Sequence, residues 1–536
     1  MVVQRESSSW RLSSFHRRAR REQVELWLPG PLIDGFILNQ PVQSSGTAAQ
    51  RLDRRQALTA FGLGILTLIG LVSLLGRWGY DDPYITFRYA RNLLAGHGFV
   101  YNPGQRTLST TAPLYALLLA GLDSLWPDPA GHRLPLLSNA LSAAALLGSA
   151  ALLLAWALRR GQKATGMIAA LLLSLFPLLL TTFGAESCLY LLLILAGFSA
   201  YDRARLNLAA LALALAAMVR PDGLVAGGAL ALYHLVRCLR PVERNLAALW
   251  PPAVLYAVLL GVWYGGLWLY FGAPLPVTLL VKQQQGEMAI STRFGAGFVD
   301  LVRQFGRQPL YWLHGALAGV GLGRVALRDR HWALLLLWTA LYFLAYTLLR
   351  VSRYFWYYAP LVPAFVLLVA EGMVVLLRLL ARLRLPQAVS TGLTGLSLII
   401  LIAPLLMGTV EAGWRPDPRL EVYREIGQWL ATHTPPQATV GALEVGIIGY
   451  YAQRPMVDFA GLIQPDVACR FTSTTTYQES AAWAIQHYRP DYLLLHGDSF
   501  AVVAESDWFQ ADYLAVRQFT SRSSLWLTLY RRRTGP

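Results

Sequence analysis

Long apolar runs recur along the chain and constrain its fold more than any other feature. A helix needs roughly 20 consecutive apolar residues to cross the hydrocarbon core of a bilayer, and backbone groups in lipid must be hydrogen-bonded within their own segment. The sequence therefore predicts an all-α polytopic membrane protein with about 11 transmembrane helices. The predicted spans lie at 57–76, 133–158, 164–182, 187–201, 206–219, 223–239, 247–270, 308–323, 332–349, 358–377 and 388–410.

Composition excludes the main alternatives. Of 536 residues, 55% are apolar and only 14% are charged, whereas about 25% of a soluble domain is charged. The 17 Trp, 25 Tyr and 20 Phe are too many large apolar groups for a disordered chain. Three scattered cysteines, Cys188, Cys238 and Cys469, form no Cys-x-x-Cys pair, so they predict neither a metal site nor a disulfide framework.

The basic residues predict the orientation in the membrane. The net charge is +16, but the arginines lie in short loops between apolar runs, which indicates the positive-inside rule rather than a nucleic-acid partner. We therefore expect a multi-pass protein of the plasma (inner) membrane with a cytoplasmic N-terminus. The predicted inner loops contain Arg159, Arg160 and Lys163; Arg203 and Arg205; Arg237, Arg240 and Arg244; Arg324, Arg328 and Arg330; and Arg378, Arg382 and Arg384.

Three regions follow from this topology. Residues 1–56 are expected to form a basic cytoplasmic tail, residues 57–410 the transmembrane domain, and residues 411–536 a small extracytoplasmic α/β domain. The long first outer loop, 77–132, contains an apolar stretch at 113–126 that is too short to span, so we expect an interfacial helix there. The pattern of the last region predicts two helices and two strands, at 420–430, 478–488, 438–441 and 492–495.

Two adjacent carboxylates, Asp81 and Asp82, follow the first predicted span directly. Low dielectric and a like-charged neighbour raise the basicity of a carboxylate, so one of the pair is a candidate general base. The alternative is structural, because Asp at an N-cap before a proline such as Pro83 favours the start of a helix. Both interpretations stay open on the residues alone.

Three other outer loops carry further candidates. Glu186 lies in a very short loop, where a carboxylate at the membrane face either serves a site or occupies an interfacial turn. Arg220 and Asp222 lie two residues apart and either contribute to a site or simply pair with each other. Lys282 follows an apolar stretch, which suits either a phosphate at the interface or a snorkelling side chain.

Arg350 and Arg353 stand next to five consecutive aromatic residues at 354–358. An aromatic belt explains the rings but not outward arginines, whereas a phosphate or sugar site that includes Tyr357 explains both. Together with Arg88 in the first loop, these acids and cations all belong to outer loops, where they can converge beside lipid. Such a site suits group transfer from a lipid-phosphate carrier.

Two motifs of the first outer loop carry a family resemblance. Asp81-Asp82-Pro83-Tyr84-Ile85-Thr86-Phe87-Arg88 and Gly96-His97-Gly98-Phe99-Val100-Tyr101-Asn102-Pro103-Gly104 resemble the first outer loop of polytopic GT-C glycosyltransferases. The resemblance is to the polyprenyl-phosphate arabinofuranosyltransferases and, more broadly, to protein mannosyltransferases and lipid A aminoarabinose transferases. Thr110-Thr111-Ala112-Pro113 stands where the arabinofuranosyltransferases have a Tyr-Thr-containing segment, so the resemblance does not specify the sugar.

The resemblance implies a GT-C-like fold and an inverting glycosyltransferase. Asp81, the first acid of the pair, would be the catalytic base, and the donor would be a polyprenyl-phosphate-linked sugar whose leaving phosphate is stabilised by cations. The resemblance further implies an acceptor hydroxyl on an extracytoplasmic glycan, lipid or protein, and neither a metal nor another cofactor. The implied phosphate ligands are Lys282, Arg353 and Arg220; Glu186 and Asp222 would bind sugar hydroxyls, and Asp82, Arg88 and Tyr357 are further substrate-binding candidates.

Two other functions stay open at this point. A transporter or flippase of lipid-linked sugars would also need charges near lipid. Internal repeats and mid-membrane polar residues on broken helices are typical of transporters, and we find neither in the sequence. A non-catalytic membrane scaffold is the third possibility, and it would tolerate the loss of the Asp81 carboxylate.

Overall fold

The computed structural model of the chain describes residues 66–67, 69–75, 79–126, 128, 130–239, 250–328, 330–414, 417–521 and 526–533. The tail predicted for residues 1–56 and the first part of the predicted span 57–76 lie outside the described residues and stay predictions. All described residues belong to one compact unit, 51–536.

α-Helices occupy the predicted apolar runs between residues 133 and 414. Long apolar segments form helices because only an internally hydrogen-bonded backbone is stable in lipid, and the predicted helical class is confirmed. The helices of this region are Arg133–Arg159, Lys163–Ser174, Pro177–Leu180, Ser187–Asp202, Leu206–Val219, Gly223–Cys238, Trp250–Phe271, Thr278–Glu287, Phe294–Gly306, Leu310–Leu327, Ala333–Leu348, Val362–Arg382 and Gln387–Trp414, with 3-10 helices at Arg330–Trp332 and Phe355–Leu361.

Several of these helices suit a membrane. By length and composition, five helical stretches in the described part of the chain can cross one: Arg133–Arg159, Trp250–Phe271, Arg330–Leu348, Phe355–Arg382 and the stretch that contains the helix Gln387–Trp414. Shorter apolar helices accompany them, at Pro113–Ser124, Lys163–Ser174, Ser187–Asp202, Leu206–Val219 and Gly223–Cys238. The protein is therefore a multi-pass membrane protein, whereas the number of spans stays a prediction.

The first outer loop contains two helices, Asp81–Leu94 and Pro113–Ser124. Acidic residues or a proline in the first turn favour a helix start, because they suit its dipole and its free N–H groups. The second helix has 12 residues, about 18 Å at 1.5 Å per residue, which is too short to span a bilayer. The predicted helix is confirmed, and a hydrogen bond of 2.8 Å between Thr86 and Thr110 ties the first helix to the segment before the second.

The C-terminal region contains a small α/β domain, as predicted. Its strands in the described residues are β1 (Val440–Ala442), β2 (Met456–Asp458), β3 (Tyr492–His496), β4 (Tyr513–Thr520) and β5 (Trp526–Arg532), in the order β2-β1-β3-β5-β4. β1 is parallel to β2 and β3, whereas β5 is antiparallel to β3 and β4. The helices of the domain are Arg419–His433, Ile447–Ala452, Pro465–Ala468, Tyr477–Tyr488, Ala501–Ala504 and Asp507–Asp512. Two of these helices and two of the strands lie where the sequence predicts them.

Polar side chains of the first outer loop hold the main chain of the C-terminal domain. Arg88 donates to the carbonyl oxygens of Gly449 and Arg454, at 2.6 Å each. Asn102 exchanges two hydrogen bonds with the main chain of Met456, at 2.9 and 3.0 Å. Apolar residues of the loop and of the domain also share one core. The domain is therefore fixed to the loop by charge-assisted hydrogen bonds as well as by apolar packing.

Two glycines let the helices Leu310–Leu327 and Val362–Arg382 cross at close range. A Cβ atom on Gly321 would collide with the carbonyl oxygen of Leu368, and one on Gly372 would collide with a carbonyl of the facing helix. Small residues at such crossings allow two backbones to approach each other. The crossing therefore depends on the absence of these side chains.

Replacing Gly321 by Ala should destabilise the fold, because the new methyl group meets a main-chain oxygen that cannot rotate away. Overpacking of this kind costs about 1–3 kcal/mol, so we expect a lower melting temperature of the detergent-solubilised protein. Gly323→Ala on the same helix is the matched control, since no atom lies within 4 Å of a Cβ at that position. Equal melting temperatures for the two variants would contradict the close crossing.

Candidate active site

Two adjoining cavities lie at one end of the helix bundle, where the loops that the sequence predicts to be outer loops meet. The small cavity encloses about 40 Å³ and the large cavity about 300 Å³. Several residues line both, so the two volumes form one site with two compartments. The shared residues are Thr111, Glu186, Thr278, Lys282, Trp356 and Tyr357.

The large cavity combines an apolar wall with a charged end. Several aliphatic residues of the wall are more than a third exposed, so the apolar side of the cavity is not closed off by other parts of the described chain. The charged end contains one acid and one cation from separate loops, Glu186 and Lys282, together with the Arg220 and Asp222 pair. Four wall residues with 38 to 41% exposure are Leu224, Leu275, Leu279 and Leu349.

Lys282 and Asp82 lie close together in the small cavity. The Lys282 ammonium is 3.7 Å from Oδ2 of Asp82 and 3.6 Å from the ring centre of Tyr354. Lys282 is only 4% exposed, so snorkelling toward water does not explain its position. A cation enclosed between a ring and a carboxylate, at the edge of a cavity, is placed to bind an anionic ligand.

A buried hydroxyl group of the small cavity, Oγ1 of Thr278, has no hydrogen-bonding partner in the described part of the chain, and its residue is 4% exposed. Buried polar groups are nearly always hydrogen-bonded, so this hydroxyl is placed to bond a ligand or water. Thr278 lies four residues before Lys282 in one helix, and the two side chains therefore share a face.

Arg220 is bonded to the neighbouring acids. Its guanidinium donates to Glu186 at 3.1 Å and to Asp222 at 2.7 Å, and Tyr346 donates to Asp222 at 2.6 Å. The sequence left open whether Arg220 and Asp222 pair with each other; the structure contains this pair and adds Glu186 to it. Any phosphate at Arg220 would have to compete with two carboxylates. Among the described residues, no group of three or more His, Cys, Asp or Glu is placed to hold a metal ion.

Asp81 lines neither cavity. Its two carboxylate oxygens accept the main-chain N–H groups of Gly446 and Ile447 in the C-terminal domain, each at 2.8 Å. Burial and the nearby Glu444 carboxylate raise the pKa of Asp81 to about 7, although the two N–H groups lower it. The resemblance implied that Asp81 is the base, but Asp82 is the member of the pair that faces the cavity. Neither acid caps its own helix through its side chain.

The structure places two other predicted site residues outside both cavities. Arg88, which we expected to bind substrate, is bonded to main-chain carbonyls of the domain junction. Arg353, expected at the phosphate, forms an ion pair of 3.2 Å with Asp300, and its side chain is 46% exposed. The direction of each side chain depends on packing that the loop assignment does not reveal, and the substrate-binding roles of both residues stay predictions. Tyr357, by contrast, lines both cavities.

Several lining residues were not predicted. A hydroxyl or an apolar side chain in a loop does not by itself indicate a functional site. Thr278 is the exception, because it lies one helical turn before the predicted phosphate ligand Lys282. The residues missed in this way are Tyr80, Ser109, Thr110, Thr111, Thr278, Trp356 and Leu462.

The meeting of these loops agrees with the prediction that they all lie on the same side of the membrane. Glu186, Asp222, Lys282 and Tyr357 come from four different loops that the positive-inside rule assigns to one side, and all four line the large cavity. The helices between successive loops must therefore leave this end of the bundle and return to it. Which face of the membrane this end occupies stays a prediction.

Solved structures of membrane proteins share this fold. ArnT from Cupriavidus metallidurans bound to undecaprenyl phosphate has a TM-score of 0.57 and 13% identity, over 88% of this chain and 97% of its own. The archaeal oligosaccharyltransferase AglB from Archaeoglobus fulgidus, in complex with an inhibitory peptide and a dolichol-phosphate, has a TM-score of 0.55 and 14% identity, over 89% and 74%. An Archaeoglobus fulgidus oligosaccharyltransferase tethered with an acceptor peptide has a TM-score of 0.53 and 16% identity, over 88% and 74%.

Sequence comparison adds one match. Residues 413–532 match the family described as a domain of unknown function, DUF8728, and no curated protein is significantly similar to the chain in sequence. Structural likeness at 13 to 16% identity establishes the fold rather than the activity. The chain thus has the GT-C fold that the motifs of its first outer loop implied.

The raised pKa of Asp81 predicts a junction whose stability depends on pH. The folded protein holds this proton up to about pH 7, whereas an unfolded chain releases it near pH 4. The contribution of Asp81 to stability is therefore full below about pH 4 and is lost as the pH rises to about 7. Hydrogen exchange of residues 445–452, measured by mass spectrometry and corrected for intrinsic rates, should show less protection at about pH 7.5 than at about pH 5.

Asp81→Asn is the matched variant for this measurement, because it removes the titrating group. Only the part of the pH dependence that comes from other groups should survive, such as Asp458, whose burial also raises its pKa to about 7. Asp82→Asn should keep most of the wild-type dependence at these amides but shift it to lower pH, because the Asp82 carboxylate helps to raise the pKa of Asp81. An unchanged dependence in Asp81→Asn would contradict the assignment.

Proposed function

We propose that the protein is a membrane glycosyltransferase that moves a sugar from a polyprenyl-phosphate-linked donor to an extracytoplasmic acceptor hydroxyl. One observation carries the proposal: a cavity with a partly exposed apolar wall ends at a buried lysine beside a carboxylate. A long isoprenoid chain requires the apolar wall, a phosphate requires the cation, and an attacking hydroxyl requires the base. The fold adds support, because ArnT, which shares it, is bound to undecaprenyl phosphate.

In this proposal the lipid chain of the donor lies along the apolar wall and its phosphate reaches Lys282. The ammonium binds the phosphate through a charge-assisted hydrogen bond, and the Thr278 hydroxyl donates a second bond from the same face of the helix. Because the Arg220 guanidinium is already bonded to Glu186 and Asp222, Lys282 is the main phosphate ligand. Arg220 then contributes by holding Glu186 and Asp222 in place rather than by binding the phosphate directly.

Asp82 is the general base of the proposed reaction. It takes the proton of the acceptor hydroxyl while the oxygen forms a bond to C1 of the sugar. The bond between C1 and the phosphate oxygen breaks, and polyprenyl phosphate leaves with its negative charge beside Lys282. Attack from the side opposite the phosphate inverts the configuration at C1. The alternative base, Asp81, has both oxygens bonded to main-chain N–H groups.

The sugar of the donor lies where the two compartments meet, next to Glu186 and Tyr357, which line both. The carboxylate accepts hydrogen bonds from sugar hydroxyls, and Asp222 holds the Arg220 and Glu186 cluster in place. The proposal needs neither a metal nor another cofactor. It includes a glycan, lipid or protein acceptor, the plasma membrane as location, a cytoplasmic N-terminus and an extracytoplasmic C-terminal domain.

Lys282→Ala should weaken binding of undecaprenyl phosphate and slow sugar transfer, each by on the order of 10²-fold, because it removes the cation beside the phosphate. Native mass spectrometry of the detergent-solubilised protein measures the binding. Release of undecaprenyl phosphate from lipid-linked sugars, extracted from membranes of the host together with their acceptors, measures the transfer.

Arg353→Ala is the matched control for Lys282→Ala. This arginine belongs to an outer loop as well, but it pairs with Asp300 and lines neither cavity. We expect wild-type binding and wild-type transfer. A defect in Arg353→Ala as large as that in Lys282→Ala would show that the phosphate lies elsewhere.

Asp82→Asn should bind undecaprenyl phosphate normally but transfer sugar roughly 10²- to 10⁴-fold more slowly, which is the usual contribution of a general base. Asp81→Asn should instead lower the melting temperature, because an amide places a donor against one of two N–H groups, while the folded fraction still transfers sugar. If the Asp81→Asn protein is stable but inactive and the Asp82→Asn protein is active, the general base is Asp81. Full transfer by both variants would favour a scaffold.

A further inference from the structure

The C-terminal domain reaches the small cavity through one turn, residues 458–464. Leu462 in this turn is 7% exposed and lines the small cavity together with Asp82 and Lys282. The other residues that line this cavity belong to the first outer loop and to the loops of the helix bundle. A domain that matches only a family of unknown function therefore forms part of the wall beside the proposed base.

The turn is held in shape by its own polar groups. The Asp458 carboxylate accepts the N–H of Ala460 at 2.7 Å and the N–H of Ile463 at 3.1 Å. Gly461 has a φ of +79°, a left-handed conformation that residues with a side chain rarely adopt. Leu462 is therefore presented to the cavity by a turn with a fixed backbone.

The same turn is bonded to the helix that carries Lys282. Gln285 on that helix donates to the carbonyl oxygen of Ala460 at 3.0 Å and accepts a hydrogen bond of 2.9 Å from Tyr354. Tyr354 in turn supplies the ring beneath the Lys282 ammonium. The positions of Leu462 and of the phosphate ligand are thus coupled through one glutamine.

The two compartments offer different approaches to the site. The partly exposed leucines of the large cavity mark the side from which a lipid-linked donor would enter under the proposed function. The small cavity has a volume of about 40 Å³, which is enough space for about three water molecules. A donor whose sugar fills the shared region leaves the small cavity for the incoming hydroxyl, and Leu462 forms the wall of that space on the side of the C-terminal domain.

We propose that the 458–464 turn is the acceptor-side wall of the active site and that Leu462 determines which acceptors reach Asp82. The inference rests on the proposed function and gives the C-terminal domain a role in acceptor selection. A hydroxyl on a slender arm, such as a primary CH₂OH group, fits the space beside Leu462. A secondary hydroxyl flanked by bulky ring substituents does not.

Cysteine modification separates the two approaches. Leu462→Cys and Leu275→Cys are each combined with Cys469→Ser, which removes the exposed native thiol, and are treated with a charged methanethiosulfonate. At ten times its Kd, undecaprenyl phosphate should slow modification of the Leu275→Cys thiol by about tenfold and that of the Leu462→Cys thiol by less than about twofold. Modified Leu462→Cys should still bind undecaprenyl phosphate but should lose sugar transfer.

Two further variants complete the test. Val502 lies on the outside of the same domain and is 72% exposed. Modification of Val502→Cys should therefore leave both undecaprenyl phosphate binding and sugar transfer unchanged. Leu462→Ala enlarges the small cavity, so it should add products glycosylated on secondary hydroxyls to the wild-type pattern in host membranes. An unchanged product pattern would contradict a selective role for Leu462.

Other results would overturn the inference as directly. Protection of the Leu462→Cys thiol by undecaprenyl phosphate would assign the turn to the donor side. If the Leu462→Cys thiol does not react with the reagent, an acceptor cannot reach Asp82 past this residue. If modified Leu462→Cys transfers sugar at the full rate, Leu462 does not lie on the path of the acceptor. If undecaprenyl phosphate does not bind the wild-type protein, the proposed donor is wrong and the inference falls with it, which the binding measurement alone reveals.

Discussion

The arrangement of the candidate site depends on how two adjacent carboxylates share the first turn of one helix. Successive residues of an α-helix point about 100° apart, so Asp81 and Asp82 face different partners. Asp81 binds the main chain of the C-terminal domain, 365 residues further along the chain, and Asp82 faces Lys282 in the cavity. One helical turn thus carries both the carboxylate that binds the C-terminal domain and the carboxylate that we propose as the general base. Any shift of the C-terminal domain would move the proposed base as well.

The charges of the site are nearly balanced rather than uniformly positive. Across the two cavities, Asp82, Glu186 and Asp222 face Arg220 and Lys282. Because Arg220 is bonded to two of the acids, Lys282 is the cation with the most freedom to meet a ligand. Three acids and two cations leave a formal charge of −1, so binding of an anionic phosphodiester depends on the local field beside Lys282 rather than on the net charge of the site. The dense packing of Lys282 against an aromatic ring keeps its position defined.

Much of the fold could be predicted because it depends on local pattern and on the bilayer. Apolar runs become helices in lipid, and the distribution of arginines was enough to group Glu186, Lys282 and Tyr357 on one side. Sequence reasoning could not separate Asp81 from Asp82, because distant backbone partners decide which way each carboxylate points. Leu462 carried no signal, since an apolar residue of a separate domain becomes part of a site only through docking.

A structure with undecaprenyl phosphate bound is the most direct test of the proposed chemistry. We expect the phosphate within hydrogen-bonding distance, about 3 Å, of both the Lys282 ammonium and the Thr278 hydroxyl. The isoprenoid chain should lie against Leu275 and Leu279, with Asp82 in the small cavity beyond the phosphate. A phosphate bound at Arg353, or an isoprenoid chain that passes beside Leu462, would contradict this arrangement.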